Sequence, residues 1–483
     1  MLEFIYSMAK KSIYKYIILY SLIFIAIRLL ASTVGMTYDE AEQFIDAQNY
    51  VLGYLDQPPL YSWIIKTCSL VFGLNVPMMV CVYHTVTIIF LIYLYKILDF
   101  LFTDDKKIFF AFISYVLFFI YSYDFYRYTI HTALMAMFCA IAFYIYLKIF
   151  KGEDKLSNYL LLGLSFGLGL LSKYNFIFFV LALIIPSLFS KKSRAILFDT
   201  KTIFAIAVCV LTFLPHALWL INNDFETLNY ALQRGEAGAS EKDFSLIKVL
   251  LNTYWNYLVY CGVIIVFFFK DLSWKDDEEA KLFKSMLIFA IVFPFLLILI
   301  LEAGNFTQRW LAPLNLLFPI IVFYFIEIKD ITLKHKIFKY GIYVLIIVFY
   351  LMRICSYYFP DQFKPSFLSK PYEAIYRNLE KDFLNFGFDI AKNKIYSFRE
   401  VGILAGVKTF YKDQKIEVLR NTDDLNENMA LVIWSEEKEN NFDNFCNRNQ
   451  VNCSKVFSKS APFLFSRKGR MYKVNFGTVQ KIY

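Results

Sequence analysis

The chain has 483 residues, 58% hydrophobic and 20% aromatic, with a mean hydropathy of +0.48. That apolar share excludes an ordinary water-soluble enzyme and implies a polytopic membrane protein. The net charge of +9 comes without a dense basic stripe, so nucleic-acid binding is excluded too.

In chain order, Lys10, Lys11 and Lys15 lie at the head of an apolar run from Ile13 to Leu30. The run is long enough to span a bilayer and has no signal-peptide cleavage pattern, so it reads as an uncleaved first span. Ten further apolar runs follow near 77–98, 108–123, 129–149, 158–171, 174–190, 202–221, 246–269, 284–301, 310–326 and 337–355. The run at 158–171 is short and glycine-rich, and fusing it with its neighbour would invert everything downstream. Positive charge decides between the two counts. With eleven spans and a cytoplasmic amino terminus, Lys106, Lys107, Lys151, Lys191, Lys192, Arg194, Lys275 and Lys336 fall inside, and few bases fall outside.

The expected fold is therefore all-α and polytopic, with about eleven transmembrane helices over 1–358 and a small periplasmic α/β domain over 359–483. The expected location is a bacterial inner membrane. In the tail, Tyr372 to Phe386 reads as an amphipathic helix, and Lys394 to Phe398 and Ala430 to Trp434 read as short strands. Gly402 and Gly406 make no phosphate-binding fingerprint. Six cysteines lie in or beside apolar segments, but Cys446 and Cys453 fall in the outer tail, where a disulfide persists; two free thiols are the alternative.

The outer loop at about 33–76 holds the chemistry-bearing residues. Tyr38-Asp39-Glu40-Ala41-Glu42 is followed by Asp56-Gln57-Pro58-Pro59-Leu60, which places four carboxylates just past the first span. Acids beside hydrocarbon persist mainly where they face a cavity, a partner or a substrate. A solvated loop turning at Pro58-Pro59 is the plainer reading.

Together with Leu171-Ser172-Lys173-Tyr174, Pro215 with Trp219 and Asn222, Arg234-Gly235, and Arg309-Trp310 with Pro313, this order resembles the protein O-mannosyltransferase-like branch of the GT-C glycosyltransferases. That branch includes bacterial enzymes that glycosylate lipid A. The resemblance covers about residues 13 to 325. It implies an inverting transferase that takes a hexosyl or pentosyl group from a polyprenyl-phosphate donor on the outer membrane face. Lipid A, another glycolipid and protein hydroxyls are all open as acceptors.

Such a displacement needs a base for the acceptor and cations for the departing phosphate. By the family's Asp-Glu position, Asp39 is the expected base. In a helix Asp39, Glu42 and Gln43 share a face while Glu40 points elsewhere. Glu40 or Glu42 has a supporting role, and a divalent metal held by Asp39 and Glu40 is one form of it. Pro58 and Pro59 impose an extended or turn conformation that aims Asp56 at the site, with a helix cap as the alternative. Relatives carry a base where this chain has Gln57.

Lys173, with Tyr174 beside it, and Arg309 are expected at the donor phosphate; snorkelling and interfacial anchoring are the plain alternatives. Arg28 is read as either an ion-pair partner of Asp39 or Glu40 or a substrate contact. His131 stands where relatives have an acid, with Asp124 upstream, and is either a substrate or metal ligand or a structural histidine. Trp219, Asn222 and Arg234 form a candidate lid over the sugar. The competing function is a lipid-linked saccharide flippase or transporter without catalysis, which predicts charges near span centres and repeated halves; a third is an O-antigen ligase or polymerase, which predicts an arginine-rich outer loop.

Overall fold

The computed structural model describes residues 2–54, 56–125, 129–229, 246–301, 309–359, 361–362, 367–387, 394–397, 400–411, 416–418, 429–449 and 451–480. The chain divides into two compact units. A span unit comprises Met1–Leu22, Val51–Tyr61 and Tyr83–Phe349. A tail unit comprises Ile23–Tyr50, Ser62–Val82 and Tyr350–Tyr483. The acidic segment at 38–42 thus belongs with the carboxyl-terminal domain, and Asp56 belongs with the spans.

The helices ahead of the tail are α1 (Leu2–Ala31), α2 (Tyr38–Asp46), α3 (Leu60–Phe72), α4 (Val76–Leu101), α5 (Asp105–Ser114), α6 (Ile130–Phe150) and α7 (Leu156–Ser172). They continue with α8 (Phe176–Ser187), α9 (Lys191–Leu197), α10 (Thr200–Asn222), α11 (Leu246–Phe268), α12 (Glu278–Leu301), α13 (Ala312–Tyr324) and α14 (Leu333–Tyr358). Among the described residues, seven helices are long and apolar enough to cross a membrane: α1 from Ile13, α4, α6, α10, α11, α12 and α14. Four shorter apolar helices, α3, α7, α8 and α13, accompany them. The protein is a multi-span membrane protein.

One expected span is not a single helix. The run 108–123 breaks after α5 into two short 3-10 turns, Tyr115–Leu117 and Phe119–Tyr121. The Tyr115 and Tyr121 hydroxyls donate to backbone carbonyls of Leu316 and Ala312 in α13, contacts that hydropathy does not register. By contrast, α7 and α8 are separate, divided at Lys173-Tyr174-Asn175. The glycines of α7 explain its odd composition. A Cβ at Gly163 would fall 2.1 Å from the Ala205 carbonyl oxygen of α10, and one at Gly167 would fall 2.6 Å from Thr212. Small residues one turn apart let two helix backbones close on each other where lipid supplies no hydrophobic drive.

The tail carries α15 (Tyr372–Tyr376), α16 (Leu379–Asn385), α17 (Val401–Phe410) and α18 (Glu439–Asn449), with β1 (Ile395–Ser397), β2 (Ile416–Val418), β3 (Met429–Ser435), β4 (Asn452–Pro462) and β5 (Met471–Gln480). They form a five-stranded sheet in the order β2-β1-β3-β5-β4. β1 runs parallel to β2 and β3 with Ile395 opposite Leu431, and β5 is antiparallel to β3 and β4. The helix expected over 372–386 is split in two by Asn378, whose φ of +68° ends the first turn. One core joins Tyr372, Tyr376, Leu404 and Val407 to Ile433 and Phe476, and the other joins Trp434 to Phe442 and Phe445. Ile45 of α2 packs against the first of these cores. Cys446 in α18 and Cys453 in β4 form a disulfide.

Candidate functional site

In the tail unit, α2 is the acidic element. Thr37 caps it with a complete capping box: the Glu40 amide donates to Thr37 Oγ1 at 3.4 Å, and the Thr37 amide donates to Glu40 Oε2 at 2.8 Å. Arg28, fully buried, donates through Nη2 to both Glu40 oxygens at 3.2 and 3.1 Å and to the Gly35 carbonyl at 2.7 Å, and through Nη1 to the Ser32 carbonyl at 2.6 Å. Arg28 and Glu40 are therefore committed to each other and to folding the 32–40 turn. Both Glu40 oxygens are taken, so the residue does not fit the metal-ligand role. Among the described residues no three His, Cys, Asp or Glu converge on a cation position. Asp39 is half-buried in the first turn of α2, where the helix N-terminus favours negative charge. Glu42 and Gln43 are buried one turn on, and Ser62 Oγ donates to Gln43 Oε1 at 2.7 Å.

In the span unit, the second acidic segment is the loop from Leu52 to Pro59. The last turns of α10 and the residues after it hold the start of this loop. His216 Nδ1 donates to the Leu52 carbonyl at 2.6 Å, and Thr227 Oγ1 donates to the Tyr54 carbonyl at 2.8 Å. Trp219 closes on Gly53 between them: a Cβ there would lie 2.1 Å from the indole ring, so only glycine fits. The indole is thus engaged by the loop, with Asn222 exposed beyond it. Asp56 follows, and its Oδ1 is buried with no hydrogen-bond partner among the described residues. Gln57 is half-buried, and Pro58 and Pro59 lead into α3.

The break between α7 and α8 gathers the cationic side of the same unit. Lys173 Nζ donates to Thr132 Oγ1 at 2.8 Å, and His131 Nδ1 donates to the Ser172 carbonyl at 3.3 Å. His131 is buried beside Tyr61, with ring centroids 5.8 Å apart. Asn175 Nδ2 donates to the carbonyls of Arg309 and Trp310 at 3.3 and 3.0 Å, which ties the lead-in of α13 to the break. Arg309 is half-buried. Tyr174 and Nε2 of His216 are 2.8 Å apart. Since the Leu52 carbonyl only accepts, neutral His216 carries its proton on Nδ1, and the Tyr174 hydroxyl donates to Nε2. Asp124 lies in the turn before α6, and Arg234 lies outside the described residues.

His216 and Thr227 were not among the residues singled out from sequence. For His216 a signal existed, because a titratable side chain inside an apolar span marks a functional position by default.

Residues 56–219 match the family model described as dolichyl-phosphate-mannose-protein mannosyltransferase. The structure matches ArnT from Cupriavidus metallidurans bound to undecaprenyl phosphate with a TM-score of 0.58, over 95% of this chain and 97% of that one. The fold is ArnT-like. At 10% identity the likeness is one of architecture. Two curated relatives are lipopolysaccharide core galacturonosyltransferases of Rhizobium johnstonii. RgtB is 28% identical over 308 residues, 60% of each chain, and RgtA is 25% identical over 300 residues, 59% of each. The chain thus spans about 60% of the length of the curated relatives it matches.

Proposed function

We propose that this protein is a glycosyltransferase that moves a sugar from a polyprenyl-phosphate donor to a lipopolysaccharide or related glycolipid acceptor at the periplasmic face of a bacterial inner membrane. The observation that carries the reading is Asp56. Its buried Oδ1 lacks a partner on a loop whose neighbours are fastened at Leu52 and Tyr54. A buried carboxylate oxygen left unbonded costs free energy, and a substrate hydroxyl is the natural group to satisfy it. Support comes from the ArnT-like fold, since that ArnT structure holds undecaprenyl phosphate, and from the activity named for both relatives.

In the reaction an acceptor hydroxyl attacks the anomeric carbon, the bond from that carbon to the phosphate oxygen breaks, and the proton passes to a carboxylate. Asp39 is the base in this scheme, since the neighbouring Glu40 is held by Arg28 and Thr37. Asp56 orients a substrate hydroxyl. Lys173 and Arg309 neutralise the departing phosphate. Arg28 and Glu40 support α2, and no step runs through a metal.

Mass spectrometry of lipid extracts from a deletion strain and its parent tests the function. The expected result is the loss of one sugar mass from a glycolipid, and an unchanged lipid profile would refute the reading. With the amino terminus in the cytoplasm, the carboxyl terminus is periplasmic. Alkaline phosphatase fused after Tyr483 is then active, and an inactive fusion of normal abundance would reverse the orientation.

A further inference from the structure

Lys173-Tyr174 and the Leu52–Pro59 loop are more than a hundred residues apart in sequence, yet one side chain bonds to both. We propose that His216 is a positioning residue that locks the cationic break to the Asp56 loop, so that the groups meeting the donor phosphate and the substrate hydroxyl are held in one frame. The inference rests on the roles given to Asp56 and Lys173 above.

The geometry is specific to histidine. Nδ1 donates to the Leu52 carbonyl at 2.6 Å and Nε2 receives the Tyr174 hydroxyl at 2.8 Å, so opposite edges of one rigid ring bridge the two segments. The ring lies nearly parallel to those of Tyr174 and Trp219, with interplanar angles of 16° and 13° and centroid separations of 5.8 Å in both cases. Trp219 in turn presses on Gly53, and Thr227 holds the Tyr54 carbonyl. Three successive loop residues are thereby fixed just ahead of Asp56. None of these contacts uses the Asp56 carboxylate, so the loop is immobilised while its acid stays available. His216 is itself buried, which leaves it a support for the reacting groups and not one of them.

The test is a double-mutant cycle between His216→Phe and Asp56→Asn, read in the complemented deletion strain. The readout is the initial rate at which the modified glycolipid reappears after induction, normalised to membrane-inserted protein. Phenylalanine keeps the stacking and removes both hydrogen bonds. If the lock positions Asp56, His216→Phe alone slows transfer about tenfold to a hundredfold, the scale of an ångström-sized misplacement. The double variant is then no more than about twofold slower than Asp56→Asn alone, because residues acting as a unit are non-additive. A merely structural role multiplies the two effects.

Hydrogen exchange on the purified full-length variant supplies a readout independent of activity. Amides of residues 52–57 should exchange faster in His216→Phe, with the tail sheet unchanged. Two further substitutions divide the bridge: His216→Asn retains a donor near the Nδ1 position for Leu52, and His216→Gln retains a group near the Nε2 position for Tyr174, so each should fall between the parent and His216→Phe. A parental rate in His216→Phe, multiplicative effects, or unaltered exchange at 52–57 would each overturn the proposal. A parental rate in Asp56→Asn would instead remove the functional reading of Asp56 and, with it, the proposal's target.

Discussion

The two acidic segments of this protein are held in place by opposite means. In α2, a carboxylate is itself the fastener: Glu40 closes the capping box and takes the buried Arg28 guanidinium. In the 52–59 loop the fasteners are a histidine, a threonine and a tryptophan acting on backbone, and the Asp56 carboxylate is left out of the arrangement. An acid spent on structure and an acid left with an unbonded oxygen look alike in sequence. Their hydrogen-bond partners separate them.

The largest expected effect breaks the structural half of that comparison. Glu40→Ala removes the carboxylate that buried Arg28 bonds, and breaking a buried pair by removing one partner costs about 3 to 5 kcal/mol in folded proteins. The expected outcome is loss of folded protein from detergent extracts, measured by size-exclusion recovery and thermal midpoint. Glu40→Ala recovered at parental yield with a parental midpoint would show that the pair does not hold the turn.

Asp39→Asn addresses function in the same helix. The variant should insert and melt like the parent yet transfer sugar at least about a hundredfold more slowly, in the range of general-base loss. Near-parental transfer, measured by lipid mass spectrometry after timed induction, would move the base role to Asp56 or Glu42. Set against Glu40→Ala, the pair sharpens the comparison: neighbouring acids should fail in different ways, one in rate and the other in yield.

A smaller effect is expected away from both segments. Replacing Cys446 and Cys453 together opens a short loop between α18 and β4 and should lower tail stability by about 2 to 3 kcal/mol in the chain-entropy model, with transfer retained. Loss of transfer at normal abundance would place the disulfide among the functional elements.

The smallest effect concerns Glu400, just before α17. Burial raises its carboxyl above the ordinary range, although Ser435 donates to it through both its amide and its hydroxyl. A raised folded-state value means that the stabilising contribution is complete at acid pH, below the unfolded value. It is lost as the pH climbs through the folded value. Glu400→Gln should therefore flatten the pH dependence of the thermal midpoint on the acid side and leave the midpoint at neutral pH equal or slightly higher. An unchanged pH slope would assign that dependence to other groups.

Much of the architecture was legible because hydropathy reports directly on what lipid demands. Seven long apolar helices at seven of the eleven expected spans, the separate α7 and α8, and the strands β1 and β3 follow from apolar runs, a Lys-Tyr break and short β-branched or aromatic stretches. The interrupted run at 108–123 was not legible, since every residue there suits a span and only the tyrosine contacts with α13 mark the break. In the site, the acids Asp39, Glu40, Glu42 and Asp56 stood out by composition, but nothing in their spacing said that Glu40 would be matched with Arg28.

The sequence by itself determined that this is a multi-span membrane protein with a small terminal sheet domain and acids just past its first span. The cost of burying unbonded backbone in lipid restricts spanning segments to helices, and that restriction acts locally along the chain. Only the tertiary structure decided that α2 is grouped with the tail, that His216 bridges Tyr174 and Leu52, and that Asp56 keeps an unbonded oxygen. The His216 bridge depends on a hydrogen bond between residues 164 positions apart, and the grouping of α2 depends on packing such as that of Ile45 on the tail core. No local pattern encodes such a pairing, because its free energy exists only once the partners meet.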